Sequence, residues 1–337
     1  MKAIRVHTQG GPEVLRIDDM DIPQPGSKEV LIRIKAAALN HLDLWVRSRM
    51  PGVPLPIIMG SDGAGIIESC GNEVNSYQAG DEVFLVPFRT EMPFGSHEEL
   101  SPVYQILGEH LDGSQAEYIV APEDFVLRKP AILSWEETAA FPLAFLTAYH
   151  MLTQKVQLTA DQTLLIWGAS SGIGSTAIQI AKLAGATVIT TAGSEKKKSL
   201  AADLGADHII NYKTEDVGTR VKEITNGIGV DIIFEHVGEK SWQHSLKALK
   251  KGGKIITCGA TTGSLVRIDL RHLFMKHQQI IGSTMGNRQD LVEICQLIAD
   301  KKLKPVISDI LPFSEVGKAH QILESNQQNG KIVLRFD

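Results

Sequence analysis

Over the first 122 residues the apolar positions come in short runs broken by Gly and Pro: MKAIRVHT, EVLIRIKAAAL, AGIIESC, DEVFLVPF and AEYIVAP. Runs of that length, separated by turn formers, predict the short strands of a small barrel or sandwich. From about residue 160 the pattern changes. Strand-length apolar runs now alternate with stretches whose apolar positions recur at helical spacing. QTLLIWG reads as a buried strand and SGIGSTAIQIAKLAGA as a helix. TVITTAGS, the helix SEKKKSLAADLGAD closing at Gly205, HIINY, the helix TEDVGTRVKEITNG, VDIIFEHVG, the helix SWQHSLKALKKGG, KIITCGA and QIIGSTMG continue the alternation. Six strands with helical crossovers predict a doubly wound parallel sheet, so the fold class is α/β with a β-rich domain in front. The tail, ISDILPFSEVGKAHQIL and GKIVLRF, returns to short strands and loops and is expected to pack back on the first domain.

A length of 337 residues fits two domains of ordinary size. The balance of 39 acidic to 34 basic residues, a net charge of −5, excludes a general binder of nucleic acid or anionic membrane. The three cysteines, Cys70, Cys258 and Cys295, have no CxxC spacing, so they support neither a disulfide framework nor a cysteine zinc site and fit a reducing compartment. The most apolar stretch, WEETAAFPLAFLTAYHML, carries Glu136, Glu137, Pro142 and His150 and makes a poor membrane span. The N-terminus has no long apolar core and no small-residue cleavage site. The expectation is a cytoplasmic protein with no membrane partner.

The sharpest motif is LLIWGASSGIGSTA. Gly168, Ala169, Ser170, Ser171, Gly172, Ile173 and Gly174 lie between an apolar strand and an amphipathic helix. The first glycine allows a tight turn, the next lets backbone N–H groups approach a pyrophosphate, and the third lets helix and strand pack closely. Sites for NAD place an acid at the end of the second strand to hold the ribose 2′-hydroxyl. Here that strand ends Thr190, Thr191, Ala192, Gly193, Ser194, with no acid. Ser194 and Lys197 would accept a 2′-phosphate, so the cofactor expected is NADPH.

GASSGIG also occurs in short-chain dehydrogenases, which carry it near the N-terminus and use a Tyr-x-x-x-Lys pair. None of Tyr77, Tyr104, Tyr118, Tyr149 and Tyr212 has Lys four residues on, and the motif starts some 160 residues in. The chain instead resembles the medium-chain dehydrogenase/reductase superfamily, in its quinone-oxidoreductase-like, zinc-less branch. The resemblance covers nearly the whole chain and rests on GGPEVLRI, PGSKEVLIRIKAAALNHLDLW, GSDGAG, GDEVF, AEYIVAP, GASSGIG, LGADHIINY and GGKIITCGA. It implies a GroES-like β-rich catalytic domain at 1–122 and 287–337 and a Rossmann dinucleotide-binding domain at 123–286. It also implies cofactor neighbours at Thr147, Lys197, Tyr212, Gly259 and Lys331, with Tyr212 near the adenosine phosphate and Lys331 facing the pyrophosphate; Gly238 and Ala260 are further expected cofactor-binding residues.

In the zinc alcohol dehydrogenases of that superfamily the place of GSDGAG reads Gly-His-Glu, the His being a zinc ligand. This chain has Ser61 and Asp62 there, Asn40 where a ligand Cys would stand, and Leu143 near the third position. These are not the ligands zinc prefers. The segment that would carry a structural zinc lobe has no cysteine, and His97 and His110 read as surface residues of a shortened loop. No metal site is expected. The Gly60–Gly65 turn is then structural, with one wall facing the active-site cleft.

Without zinc, hydride delivery to a conjugated acceptor is easier than alkoxide oxidation, because the charge spreads and hydrogen-bond donors can stabilise it. The expected reaction is NADPH-dependent reduction of a quinone or α,β-unsaturated carbonyl compound, with Asn40, His41 and Trp45 lining the site and Asp43 a structural cap. The alternatives are a zinc-dependent alcohol dehydrogenase with unusual ligands and a non-catalytic NADPH-binding protein. Pairing through the edge strand QIIGSTMG would make a homodimer.

Overall fold

The computed structural model describes residues 1–336. The chain divides into two units: Met1–Ala144 joined by the C-terminal stretch from Asn287, and Phe145–Gly286.

The second unit is built on a six-stranded sheet in which every pairing is parallel. In chain order the strands are Thr163–Ile166, Thr187–Ala192, His208–Asn211, Val230–Glu235, Leu249–Thr257 and Gln279–Gly282. In space they run third, second, first, fourth, fifth, sixth. That is the doubly wound order expected from the alternating pattern, and it reverses between the first and fourth strands. The central strands are buried on both faces, which is why Leu164, Leu165, Ile166, Ile232, Ile233 and Phe234 form continuous rather than alternating apolar runs. The helices start where the sequence supplies a cap. Ser171 accepts from Gly174 N, Ser194 from Lys197 N and Asp216 from Thr219 N, which satisfies N–H groups the helix cannot.

The fourth strand ends on a buried carboxylate. Glu235 Oε1 accepts from Val237 N, Gly238 N and Ser241 Oγ, and Oε2 accepts from Ser245 Oγ. Ser245 in turn accepts from the Trp167 indole at 2.9 Å. These bonds hold the turn after the strand, where Gly238 has φ +89°, a conformation glycine adopts without strain.

The first unit carries a seven-stranded sheet. Its path runs Val126–Arg128, Glu82–Leu85, Asp62–Cys70, Glu29–Ala38, Lys331–Arg335, Ile307–Pro312, with Tyr118–Pro122 also pairing with Glu29–Ala38. The tail strand Lys331–Arg335 lies antiparallel to Glu29–Ala38, with Leu334 opposite Ala37, so the tail does pack back on the first domain. Ile4, Ile32, Ile34, Met59, Val83 and Leu334 belong to its core.

Two features differ from the reading by pattern. Residues 123–144 belong to the first unit, not the nucleotide-binding one. Val126–Arg128 adds a strand to Glu82–Leu85, and the helix Trp135–Ala140, closed by a Ser134–Glu137 capping box, packs on Glu29–Ala38. The tail also contains two helices, Arg288–Ala299 and Val316–Glu324, where short strands and loops were expected. The first is capped by Asn287 and Asp290 and buries Leu291, Ile294 and Ile298 at helical spacing.

The loop that carries Glu98 is held by an ion pair. Glu98, fully buried, accepts from Arg288 N at 2.7 Å and Arg288 Nε at 2.8 Å. The same guanidinium donates to Met92 O and Asp124 O and lies over the Phe125 ring. Arg288→Met is therefore expected to strand the Glu98 carboxylate and destabilise the protein by about 3–5 kcal/mol. The double variant with Glu98→Met should recover much of the loss. Urea unfolding of the two variants beside wild type checks both.

Candidate active site

In the nucleotide-binding unit the glycine loop leaves the first strand with Gly168 at φ +68°. Gly168 N donates to Thr191 Oγ1 and Ala169 N to Thr191 O, both at 3.0 Å, which fastens the loop to the end of the second strand. A Cβ on Gly174 would lie 2.1 Å from Gly168 O, so only glycine lets the helix Gly172–Leu183 start this close to the loop. Ala169 and Ser170 are buried, and Ser171, Gly172 and Ile173 are half-buried. The loop sits where the strand order reverses, the place at which such sheets bind dinucleotides.

The end of the second strand is basic. Tyr212 packs over Gly193, whose Cβ position would lie 2.5 Å from the Tyr212 hydroxyl. Ser194 caps the next helix. Burial, and then the nearby Lys213, push the Lys197 ammonium below its ordinary pKa. Glu195 pairs with Lys198 at 2.8 Å. Small residues, a hydroxyl, a phenol and two ammonium groups thus meet at the end of this strand. The residues fit an NADPH adenosine end bearing a 2′-phosphate. Beyond the fourth and fifth strands, Gly238, Gly259 and Ala260 come together: a Cβ on Gly238 would lie 3.1 Å from Ala260 Cα, and one on Gly259 3.2 Å from His236 O. Thr147 is buried in the helix Pro142–Tyr149.

His236 escaped the reading by motif. Its Nε2 donates to Trp167 O at 2.8 Å, and its ring lies 3.3 Å from the Cβ position of Gly168. Burial pushes its pKa down, so the ring is neutral with the hydrogen on Nε2. The only signal in the sequence is its place at the end of the fourth strand.

In the first unit Asn40 is the N-cap of the helix His41–Ser48. His41 and Trp45, both half-buried, are four residues apart and share one helix face. Asp43 closes the capping box by accepting from Asn40 N at 2.6 Å, which agrees with its reading as a cap. Around Asn40 lies a buried cluster. Lys331 Nζ donates to Asn40 Oδ1 and, at 2.9 Å, to Asp62 Oδ2. Asp62 Oδ2 also accepts from Asn40 Nδ2 at 2.9 Å, and its Oδ1 accepts from Leu143 N at 2.8 Å. Lys331 is 5% exposed, Asp62 0% and Asn40 8%.

Lys331, expected to face a pyrophosphate, is bonded within this cluster. Its ammonium is turned into the first unit, onto Asp62 and Asn40, because a buried cation needs a counter-charge within reach. Of the three residues at the zinc-ligand places, Leu143 supplies only a backbone N–H, Ser61 Oγ donates to Leu107 O at 2.7 Å, and Asn40 is bonded to Lys331 and Asp62. The donor set does not fit zinc. His97 is exposed, 3.5 Å from Glu99 Oε1, and His110 Nδ1 accepts from Ile106 N. Among the described residues no group of three or more His, Cys, Asp or Glu is arranged to hold a metal ion.

The Asp43 carboxyl is pushed up to about 7, chiefly by burial and further by the Asp62 carboxylate, against the opposing pull of Asn40 N–H and the Lys331 ammonium. The folded state therefore holds this proton more tightly than the unfolded chain, where the ordinary value is 3.8. Its contribution to stability is fully present below the unfolded value and is lost as the pH rises through about 7. Asp43→Asn removes that loss. The melting temperature of the variant minus that of wild type should climb from about pH 4 to about pH 7 and then level off, as followed by thermal melts at fixed ionic strength.

Two family models match the chain: alcohol dehydrogenase GroES-like domain over residues 26–131 and zinc-binding dehydrogenase over residues 172–300. The chain is similar to a quinone oxidoreductase of Rattus norvegicus, 34% identical over 99% of this chain and 97% of the relative. A solved NAD-dependent alcohol dehydrogenase is 41% identical, with a TM-score of 0.95 and full coverage of both chains. A crotonyl-CoA carboxylase/reductase solved in complex with NADP is 26% identical, with a TM-score of 0.91, over 99% of this chain and 94% of that one. No helix among the described residues is long and apolar enough to cross a membrane. With a GroES-like unit, a doubly wound nucleotide-binding unit and relatives matched end to end, the chain is an oxidoreductase that belongs to the medium-chain dehydrogenase/reductase superfamily.

Proposed function

We propose that this protein is a zinc-independent reductase that uses NADPH to reduce a quinone or an α,β-unsaturated carbonyl compound. The observation that carries the reading is the buried Asn40–Asp62–Lys331 cluster: at the place of a catalytic zinc the chain has a hydrogen-bonded amide anchored by an ion pair. Such a site lacks the Lewis acid that alkoxide oxidation relies on, while an amide donor suffices for charge spread over a conjugated system.

NADPH, when bound, supplies the hydride. The Gly168–Gly174 loop and its helix N-terminus would hold the pyrophosphate, and Ser194, Lys197 and Tyr212 the adenosine end. Asn40 would donate to the acceptor's carbonyl oxygen, with His41 and Trp45 shaping the same side. The quinone oxidoreductase and the NADP-bound crotonyl-CoA carboxylase/reductase among the relatives support both acceptor classes and the cofactor. A second reading, alcohol oxidation with NAD, is favoured by the 41% identical neighbour. The acid-free end of the second strand speaks against it.

Chelator-treated protein is expected to oxidise NADPH with a simple quinone or an enone, and to do so faster than with NADH. Turnover that returns only with added zinc, or a preference for NADH with an alcohol substrate, would overturn the reading. Lys197→Ala should raise KM for NADPH by about 10-fold, the loss of one charge-assisted contact, and leave KM for NADH nearly unchanged.

The homodimer belongs to the same reading. Gln279–Gly282 is an edge strand with unpaired backbone groups. Near it in sequence Leu270, Phe274 and Met275 are exposed on a short helix, and Ile280 on the strand itself. Phe274→Asp combined with Ile280→Asp is expected to convert a dimer into a monomer in sedimentation velocity. A monomeric wild type would sink the proposal.

A further inference from the structure

The cluster around Asn40 makes a choice that packing alone leaves open. The two ends of an asparagine amide are nearly equal in size, so shape does not decide which end points where. Here two charges decide. The Lys331 ammonium has only donors and meets Oδ1; the Asp62 carboxylate takes a hydrogen from Nδ2 at 2.9 Å. A flipped amide would set Nδ2 against the ammonium and Oδ1 against the carboxylate, two repulsive contacts at once. The anchors are themselves fixed. Asp62 Oδ1 is held by Leu143 N, and the Asn40 backbone N–H by Asp43. Of the two hydrogens on Nδ2, one is used by Asp62 and the other lies outside these bonds.

We infer that Lys331 is a positioning residue that acts through Asn40: paired with Asp62, it locks the amide so that an N–H, not a C=O, is offered to the acceptor. The inference rests on the reductase reading. Hydride from NADPH brings two electrons to the β-carbon and leaves NADP+. The C=C pair shifts toward the carbonyl to give an enolate, and a proton from solvent then completes the saturated product. The enolate oxygen carries the negative charge, which an N–H stabilises and a C=O would repel. Lys331 touches neither cofactor nor acceptor in this scheme.

The test has two arms, both on the full chain. In the first, Lys331→Met, Asn40→Ala and the double variant are compared with wild type under saturating NADPH. Each single variant should lose kcat by on the order of 10-fold to 10²-fold with the Kd for NADPH unchanged, and the double variant should be no slower than Asn40→Ala. Losses that multiply in the double variant, or a weakened Kd for NADPH in Lys331→Met, would overturn the inference in favour of an independent or a pyrophosphate-binding role. The second arm needs no turnover. The side-chain amide pair of Asn40 is identified in 15N spectra of the unliganded protein by its disappearance in Asn40→Ala. In Lys331→Met its two protons should shift and exchange faster; an unchanged pair would refute the lock. Should Lys331→Met fail to fold, Lys331→Gln, which keeps donors but no charge, replaces it in both arms. A wild type without reductase activity would remove the reductase reading alone, since the amide spectra judge the lock by themselves.

Discussion

The site in the first unit depends on one buried ion pair. A lysine ammonium almost wholly removed from water is tolerable only beside an opposite charge and with its hydrogens accepted. Asp62 supplies the charge and Asn40 an acceptor oxygen. The consequences spread outward. Asp62 is pinned at the start of the strand Asp62–Cys70, which fixes where that strand begins. Asn40 is pinned at the start of the helix His41–Ser48, which sets the face carrying His41 and Trp45. Lys331 begins the strand Lys331–Arg335, which lies beside Glu29–Ala38. Three elements far apart in sequence thus converge on one point, and the polar atoms there are largely spent on one another.

The nucleotide-binding unit solves a related problem with an unpaired acid. Glu235 is buried, and four donors from the following turn and helix surround its two oxygens. Hydrogen bonds to a carboxylate from backbone N–H and hydroxyl groups are strong in such surroundings. They order the turn that carries His236 and Gly238 beside the glycine loop. The loop's shape therefore comes partly from its own glycines and partly from a carboxylate that contacts no part of it.

A third buried charge, Arg288 on Glu98, holds the loop that carries Glu98. The guanidinium fork reaches two backbone carbonyls besides its partner, a geometry an ammonium does not offer. The Asn40 cluster and the Glu98 loop are thus each anchored by a buried ion pair.

The repeating features were legible in the order of residues alone. Alternation of strand and helix periods gave all six strands of the second unit, and the glycine spacing gave the nucleotide loop, because these are local consequences of backbone sterics and side-chain period. The acid-free end of the second strand was legible for the same reason: its chemistry lies within five neighbouring residues, Thr190 to Ser194. The cap at Asp43 was legible too, being three residues from Asn40. The remaining contacts are set by the fold. Lys331 stands 269 residues from Asp62, and Arg288 190 from Glu98; no local pattern names either partner. The resemblance assigned residues 123–144 to the nucleotide-binding domain, but the pairing of Val126–Arg128 with the Glu82–Leu85 edge puts them in the first unit. What a polar side chain does when buried is fixed by whichever opposite charge the fold brings within about 3 Å, and that choice is made in space rather than along the chain.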